Sequence, residues 1–210
     1  MGTRGKKKKR AGKRKREREQ QQKKGEEEVQ KQGPTGYVDL KGVKRVIGGD
    51  LRSCLHDAVL NGALRVGAPL EKEELYENVP PKRTTDTPLW DVLQASCVQR
   101  VLTFKKQDFF REKGGPEYAL LKNTSGDVFL VLCTVQGFSE KTEHTFVYDS
   151  GFWRADEPTC LGALIDNRVE GHTRMLEDRD RRTKENAREL LNEYFQGTTW
   201  IHGVYKMILK

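Results

Sequence analysis

Close pairs of cysteine are missing from this chain. Its four cysteines, Cys54, Cys97, Cys133 and Cys160, stand far apart, and no Cys-x-x-Cys motif occurs. This spacing disfavours a zinc site and a disulfide framework, and it favours a reduced intracellular compartment. Nothing in the sequence suggests a metal or an organic cofactor.

Long apolar runs are missing as well. The longest run, around Val128–Val135, has the length of a buried strand and is too short to cross a membrane. The N-terminus is too highly charged for a secretory signal peptide. The sequence therefore predicts no contact with a membrane.

Excess positive charge is confined to one end of the chain. Residues 1–32 contain 14 Lys and Arg and 5 Glu, a net charge of +9, whereas the remaining residues carry a net charge of −1. The nearly neutral remainder argues against a globular domain built to bind nucleic acid. At 210 residues, the chain is long enough for one domain of ordinary size with a tail.

Residues 1–32 form a low-complexity tail that we expect to be disordered, because they offer almost no apolar side chains for a core. Two basic clusters within the tail are typical of a nuclear localisation signal or of an arm that binds nucleic acid. The clusters consist of Lys6, Lys7, Lys8, Lys9, Arg10, Lys13, Arg14, Lys15 and Arg16. We therefore expect a nuclear location, with contact to an import receptor or to nucleic acid. A solvated charged tail without a dedicated partner is the alternative.

Residues 33–210 show helical patterns first and strand patterns afterwards, which predicts an α+β domain with an N-terminal helical half packed on a C-terminal antiparallel sheet. Four helices are expected. The first begins at Cys54, the second spans Pro69–Asn78 and the last spans Arg174–Gln196. The third has Thr87 as its cap and Pro88 in its first position, and it runs through Leu89, Val92, Leu93 and Cys97. Strands are expected at Val101–Phe104, Tyr118–Leu121, Val128–Val135, His144–Asp149, Leu161–Asp166 and Trp200–Leu209.

Cys54 follows a glycine loop, Gly48-Gly49-Asp50, and begins a helix for which Ser53 is the predicted N-cap. Free backbone N–H groups and the positive end of the helix dipole favour a thiolate at this position. Cys54 is therefore a candidate nucleophile, and a cysteine that packs as a small apolar side chain is the ordinary alternative. Cys97 and Cys133 lie on apolar faces and are expected in the core.

His144 begins one predicted strand, and Asp166 ends the next. If these strands form a hairpin centred on Ala155, His144 lies directly opposite Asp166, close enough for an imidazole–carboxylate hydrogen bond. Asp149 and Asn167 are alternative partners for the ring, although a regular strand points both to the other face. The long loop between the two strands leaves this register open.

The other three histidines serve as controls. His56 is expected to point away from Cys54, which lies two residues before it on the same helix. His172 and His202 have no acidic partner at a recognisable spacing. His144 is therefore the candidate general base.

A cysteine at a helix start, then a histidine at a strand start, then an acid on the next strand is the order of the papain-like cysteine peptidase superfamily. Within it, the segment Ser53-Cys54-Leu55-His56-Asp57-Ala58 resembles the OTU deubiquitinase motif, in which an aspartate-glycine loop leads to Cys-Leu-x-x-Ala. The resemblance spans residues 45–205 and implies a papain-like α+β fold that hydrolyses amide or isopeptide bonds. It implies a protein or peptide substrate, with ubiquitin-like conjugates as one class, and catalytic roles for Cys54, His144 and Asp166. The loop around Asp50 is then the candidate oxyanion hole.

The motif departs from the family pattern at two points. Leu51-Arg52-Ser53 separates Asp50 from Cys54, where the family usually has one residue fewer, and Thr145-Phe146 follows His144, where the family's acid commonly lies. Two other functions therefore stay open. One is a catalytically inactive papain-like module that binds a partner, and the other is a nucleic-acid-associated protein that acts through residues 1–32.

Overall fold

The computed structural model describes residues 37–40, 43–46, 53–81, 87–137, 141–154, 157–167 and 173–210. The chain divides into two compact units, Met1–Tyr37 and Val38–Lys210, and every described residue except Tyr37 belongs to the second. The predicted disorder of residues 1–32 and both basic clusters lie outside the described residues, as does the glycine loop with Asp50.

The described helices are α1 (Cys54–Val66), α2 (Lys72–Asn78), α3 (Leu89–Leu93), α4 (Ser96–Val101), α5 (Pro116–Lys122) and α6 (Lys184–Phe195), with short 3-10 helices at Phe109–Arg111 and Asp178–Arg181. The described strands are β1 (Tyr37–Leu40), β2 (Val43–Val46), β3 (Leu102–Lys106), β4 (Val128–Gln136), β5 (Lys141–Arg154), β6 (Glu157–Ile165), β7 (Thr173–Met175) and β8 (Thr198–Leu209). No helix in this part of the chain has the length and hydrophobicity needed to cross a bilayer.

Strands β3 to β8 form one six-stranded sheet in the order β3-β8-β4-β5-β6-β7, and β1 and β2 form a separate two-stranded sheet. Neighbouring strands of the large sheet pair antiparallel. Central strand β4 is buried apart from the half-buried Leu132 and the exposed Gln136, as its apolar sequence predicts. The predicted α+β class is therefore confirmed, although β3 lies among the helices and α6 among the strands, so the expected split into a helical half and a sheet half is incomplete.

The two faces of the sheet pack against different helices. On one face, Phe129, Phe146 and Tyr148 join a buried cluster with Leu121 of α5 and Leu191 of α6. The residues that alternate with them point to the other face, where α1 lies.

Helix α1 lies very close to this second face because of Gly62. A Cβ atom at Gly62 would overlap the sulfur of Met207 and would lie 3.6 Å from Val147. A side chain at this point of the helix would therefore require the flexible end of Met207 to move. The close approach sets the height of α1, and of Cys54 at its start, above the sheet.

Three predicted elements are wrong in detail. Tyr118–Leu121 is helical and belongs to α5, which has Pro116 in its first position and buries Leu120 and Leu121 completely. A helical turn buries both leucines against α6, and this packing overrides the strand pattern.

The predicted helix over Arg174–Gln196 begins late. Strand β7 and a 3-10 helix occupy its first part, and α6 starts after Thr183, whose Oγ1 accepts the Asn186 N–H at 3.1 Å. This cap supplies the start signal that periodicity alone misses. The predicted helix after Thr87 is likewise divided into α3 and α4, and Pro88 is the N-cap residue of α3.

Candidate active site

Cys54 is the first residue of α1 and is half-buried. Ser53 is the N-cap residue, as predicted, but its side chain does not cap the helix. Its hydroxyl donates instead to Asp57 Oδ2 at 2.6 Å, and it makes no capping hydrogen bond. The side chain of Ser53 therefore leaves the N–H groups of the first turn, at the positive end of the helix, uncapped.

The His144 ring lies between an acid and the thiol. Its Nε2 is 3.2 Å from Asp166 Oδ2, and the Cys54 side chain lies close enough to the same ring to raise its pKa. Because the carboxylate occupies Nε2, Nδ1 is the ring nitrogen available to the sulfur. The ring also packs edge-on against Phe195 of α6, with 5.4 Å between the centroids. These contacts hold both the tilt and the rotation of the imidazole.

The predicted hairpin register is wrong by two residues. Strand β5 pairs with β6 through Val147↔Ile165, Tyr148↔Leu164 and Asp149↔Ala163, a register in which Asp166 falls opposite Phe146 and diagonal to His144. Irregularities between Asp149 and Arg154 cause the shift. A shift of two residues keeps a side chain on the same face, so Asp166 still reaches the ring.

The pairing of β5 with β6 ends before it reaches His144. In the described ladder this pairing ends at Val147, whereas His144 continues to pair with Cys133 of β4. Asp166 directly follows β6 and contacts the His144 ring beyond the end of this pairing.

His144 has a strongly perturbed pKa. Burial lowers the pKa of His144, but hydrogen bonds and charge from Asp166 and Cys54 outweigh burial and raise it from 6.5 to about 9. The ring is therefore an imidazolium at neutral pH. Asp166 is 1% exposed, and its second oxygen accepts the Asn167 N–H at 2.6 Å. A buried carboxylate held in this way fixes the ring and stabilises its positive charge.

Cys54 and His144 face a pocket of about 240 Å³ between α1, the start of α3 and the sheet. The pocket is lined by Cys54, Leu55, Thr87, Pro88, Leu89, Leu132, Glu143, His144, Thr145 and His202. Asp166 is not among these residues and lies behind the ring. Cys54 and His144 are thus open to a small ligand, whereas Asp166 is shielded.

The two alternative partners of His144 are engaged elsewhere. Asp149 Oδ2 accepts the Arg65 Nε–H at 2.7 Å, and its other oxygen accepts the Gly151 N–H at 3.0 Å. Asn167 donates from Nδ2 to Asp57 Oδ2 at 2.9 Å. Of the three acids and amides considered from the sequence, the structure brings Asp166 to the ring.

The other histidines differ sharply from His144. His56 is fully buried with Nε2 2.7 Å from the Val79 carbonyl oxygen, so this nitrogen donates, and burial lowers the pKa of the ring. His202 has an acidic partner that no sequence spacing indicates: its Nε2 is 2.6 Å from Oε2 of Glu143, which lies 59 positions earlier. The β4–β8 register shifts at this point, which inserts His202 as an extra residue and directs it toward the pocket. His172 lies outside the described residues.

Sequence reasoning missed Asp57, Tyr76 and Glu143. Asp57 is fully buried on α1 and accepts hydrogen bonds from Ser53, Tyr76 and Asn167. One signal was available, since an acid on a helix that is buried on nearly all sides needs a partner. Neither Tyr76 nor Glu143 carries a comparable local signal, because their partners are distant in sequence.

No cluster of three metal-binding side chains occurs in the part of the chain that the structure describes. Comparisons with known proteins add no relative: no family model, no curated protein and no solved structure matches the chain. The functional assignment therefore depends on the geometry of Cys54, His144 and Asp166.

Proposed function

We propose that this chain is a thiol-dependent hydrolase of amide or isopeptide bonds, built on a papain-like, OTU-like α+β domain. One observation carries the proposal. The buried His144 imidazole is hydrogen-bonded through Nε2 to a buried carboxylate, and it shares a pocket with a half-buried thiol at a helix start that helps to raise its pKa. A nucleophile, a base that can reach it and a third group that orients the base form the arrangement that nucleophilic catalysis requires.

In the first half of the reaction, the Cys54 thiolate attacks the carbonyl carbon of the scissile bond, and the His144 imidazolium stabilises the thiolate before the attack. The resulting oxyanion is positioned to receive hydrogen bonds from N–H groups at the start of α1. The imidazolium then gives its proton to the departing amine, the C–N bond breaks and a thioester remains on Cys54. Asp166 keeps the ring oriented throughout.

In the second half, a water molecule replaces the amine in the pocket. Neutral His144 takes a proton from this water, whose oxygen attacks the thioester carbonyl. The C–S bond breaks, a carboxylic acid leaves and Cys54 returns as the thiolate beside the imidazolium. Each step uses only the side chains of the site and water, so the reaction needs no cofactor.

The size of the pocket supports a peptide as substrate. A volume of about 240 Å³ is small for a site that encloses a whole organic ligand. It suits one or two side chains of an extended peptide whose remainder lies outside. Ubiquitin-like conjugates are one class of such substrates and enter this proposal through the OTU-like motif alone.

An electrophilic probe tests the proposal directly. The full-length protein is incubated with a vinyl sulfone attached to a short peptide or to a ubiquitin-like protein, and intact mass is recorded. We expect one adduct on the wild-type protein and none on Cys54→Ala. Cys160→Ser is the matched control and should label at the wild-type rate.

Absence of any adduct from a folded wild-type protein, with either type of probe, would contradict the hydrolase. An inactive binding module of the same fold would then be the better description. Circular dichroism of Cys54→Ala must match the wild-type spectrum, so that lost labelling reports chemistry and not unfolding.

We also propose that the basic tail, residues 1–32, directs the protein to the nucleus. The composition of the tail supports this, since its positive charge is separated from a nearly neutral remainder. Deleting residues 1–32 should move a fluorescent fusion out of the nucleus and leave probe labelling unchanged. If the deletion instead abolishes salt-dependent nucleic-acid binding without moving the fusion, the tail is a nucleic-acid-binding arm.

A further inference from the structure

Asp57 lies one helical turn after Cys54 and gathers three hydrogen bonds from three parts of the chain. Its Oδ2 accepts from the Ser53 hydroxyl at 2.6 Å and from Asn167 Nδ2 at 2.9 Å, and its Oδ1 accepts from the Tyr76 hydroxyl at 2.7 Å. The side chain is fully buried. These donors compensate a carboxylate that would otherwise be costly to bury.

One of these contacts leads directly to the candidate acid. Asn167 follows Asp166, and its backbone N–H donates to Asp166 Oδ1 at 2.6 Å. The other oxygen of Asp166 contacts His144 Nε2 at 3.2 Å. A continuous path of hydrogen bonds therefore runs from Asp57 through Asn167 and Asp166 to the ring.

The orientation of Asn167 depends on Asp57. Asn167 is 3% exposed, and its side-chain Oδ1 has no hydrogen-bond partner among the residues that the structure describes. A rotated amide would direct this oxygen at the Asp57 carboxylate, where two acceptors would repel each other. Asp57 thus fixes the amide and, through it, the backbone that follows β6.

We propose that Asp57 is a positioning residue: it fastens the Asp166–Asn167 segment to the helix that carries Cys54. The inference depends on the proposed hydrolase function, because it assigns Asp57 to the same site. Asp57 does not touch the reacting atoms. It acts through Asn167 and Asp166, and it keeps the acid at the distance at which it can hold the His144 ring.

Asp57→Asn is the most informative substitution because it preserves shape. The new amide carries no charge, so the charge-assisted hydrogen bond that Asn167 Nδ2 now donates to the carboxylate becomes a weaker neutral one, while the Tyr76 hydroxyl can turn and accept from the new N–H group. Asn167→Ala is the second variant and removes the link to the acid while Ser53 and Tyr76 still satisfy Asp57. Tyr76→Phe is the matched control, since it removes one donor from Asp57 and leaves the link to Asn167 intact.

The decisive measurement is the titration of His144 in full-length protein, followed by NMR of its imidazole. If Asp57 holds the acid, Asp57→Asn and Asn167→Ala both lower the pKa of His144 from about 9 toward its ordinary 6.5, because the ring loses its fixed carboxylate. Both variants should also slow labelling by the vinyl sulfone more than tenfold, whereas Tyr76→Phe should stay within twofold of wild type.

Each outcome decides between this inference and its alternatives. If Asp57→Asn and Asn167→Ala lower the melting temperature but leave the His144 titration unchanged, Asp57 is only a structural residue and the inference is wrong. If Asp57→Asn does not fold, Asn167→Ala alone decides by the same criterion. If the wild-type protein is never labelled, the hydrolase proposal fails, yet the titration still tests whether Asp57 positions Asp166.

Discussion

Arg65 holds Asp149 at the opposite end of α1 from Cys54, with 2.7 Å between Arg65 Nε and Asp149 Oδ2. Arg65 also lies over the Phe152 ring, 5.4 Å from its centroid. Asp149, five residues after His144, therefore anchors the far end of α1 to β5. Asp149 and Asp166, the two acids considered as partners of His144, thus make different contacts, and substitution can separate their effects.

Asp149→Asn should destabilise the protein without affecting the chemistry. We expect the free energy of unfolding to fall by about 2 kcal/mol, because a hydrogen bond to a charged, largely buried partner is lost. The rate of probe labelling should change less than twofold. Urea denaturation and intact mass measure the two quantities, and a large loss of labelling in a folded variant would return Asp149 to the list of candidate acids.

Substitutions of His144 and Asp166 should differ in severity. His144→Ala removes the group that carries the proton, so labelling should slow by roughly 10²–10⁴-fold. Asp166→Asn should slow it less, since an amide oxygen can still accept the ring N–H and the acid does not transfer the proton itself. Second-order labelling rates at pH 7 test the order. Equal rates for His144→Ala and the wild type would exclude a general base at this position.

The stability of the protein should depend on pH through His144. The pKa of His144 is about 9 in the folded protein against an ordinary value of 6.5, so the folded state binds the proton more tightly. The stabilisation is fully present below about pH 6.5 and is lost as the pH rises through 9. Comparing urea unfolding of wild type and His144→Gln from pH 6 to 10 isolates this contribution. A difference that does not shrink with rising pH would contradict the assignment.

The cysteines should react at very different rates. Cys97 and Cys133 are 1% and 0% exposed, and burial is the main cause of the raised pKa of Cys97, whereas Cys54 is half-buried beside an imidazolium. Iodoacetamide at pH 7 should therefore modify Cys54 before Cys97 and Cys133. Peptide mapping by mass spectrometry identifies the site. Protection of Cys54 equal to that of Cys97 and Cys133 would remove the case for a special thiolate.

Local sequence was enough to locate the two ends of the candidate site. A cysteine at a helix start and a histidine at a strand start are readable because capping and alternation are properties of a few adjacent residues. Side chains alternate between the two faces of a strand with a period of two residues. His144 and Asp166 therefore share a face even though the predicted register was wrong by two residues. The β-bulges that shifted the register depend on packing across the sheet and leave no clear local mark.

Contacts between residues that are distant in sequence were the main feature that the sequence did not predict. Asp57 and Asn167 are 110 positions apart, and nothing within a helical or strand window connects them. The same holds for His202 and Glu143, which are 59 positions apart and meet because β8 bulges. The strand predicted at Tyr118–Leu121 was wrong for a related reason, since burial against α6 decides between a helix and a strand there.

The position of β8 within the sheet has a consequence for how the protein reaches its native state. Thr198–Leu209 follows every other element in sequence, yet it lies between β3 and β4 and is the strand that joins them. Until it inserts, β3 lacks its partner in the sheet, and the pocket lacks the wall that carries His202. Such non-local pairing slows folding, because loop-closure entropy must be overcome before the contacts form. We therefore expect the pocket beside Cys54 and His144 to form in a late step of folding, once the sheet is complete.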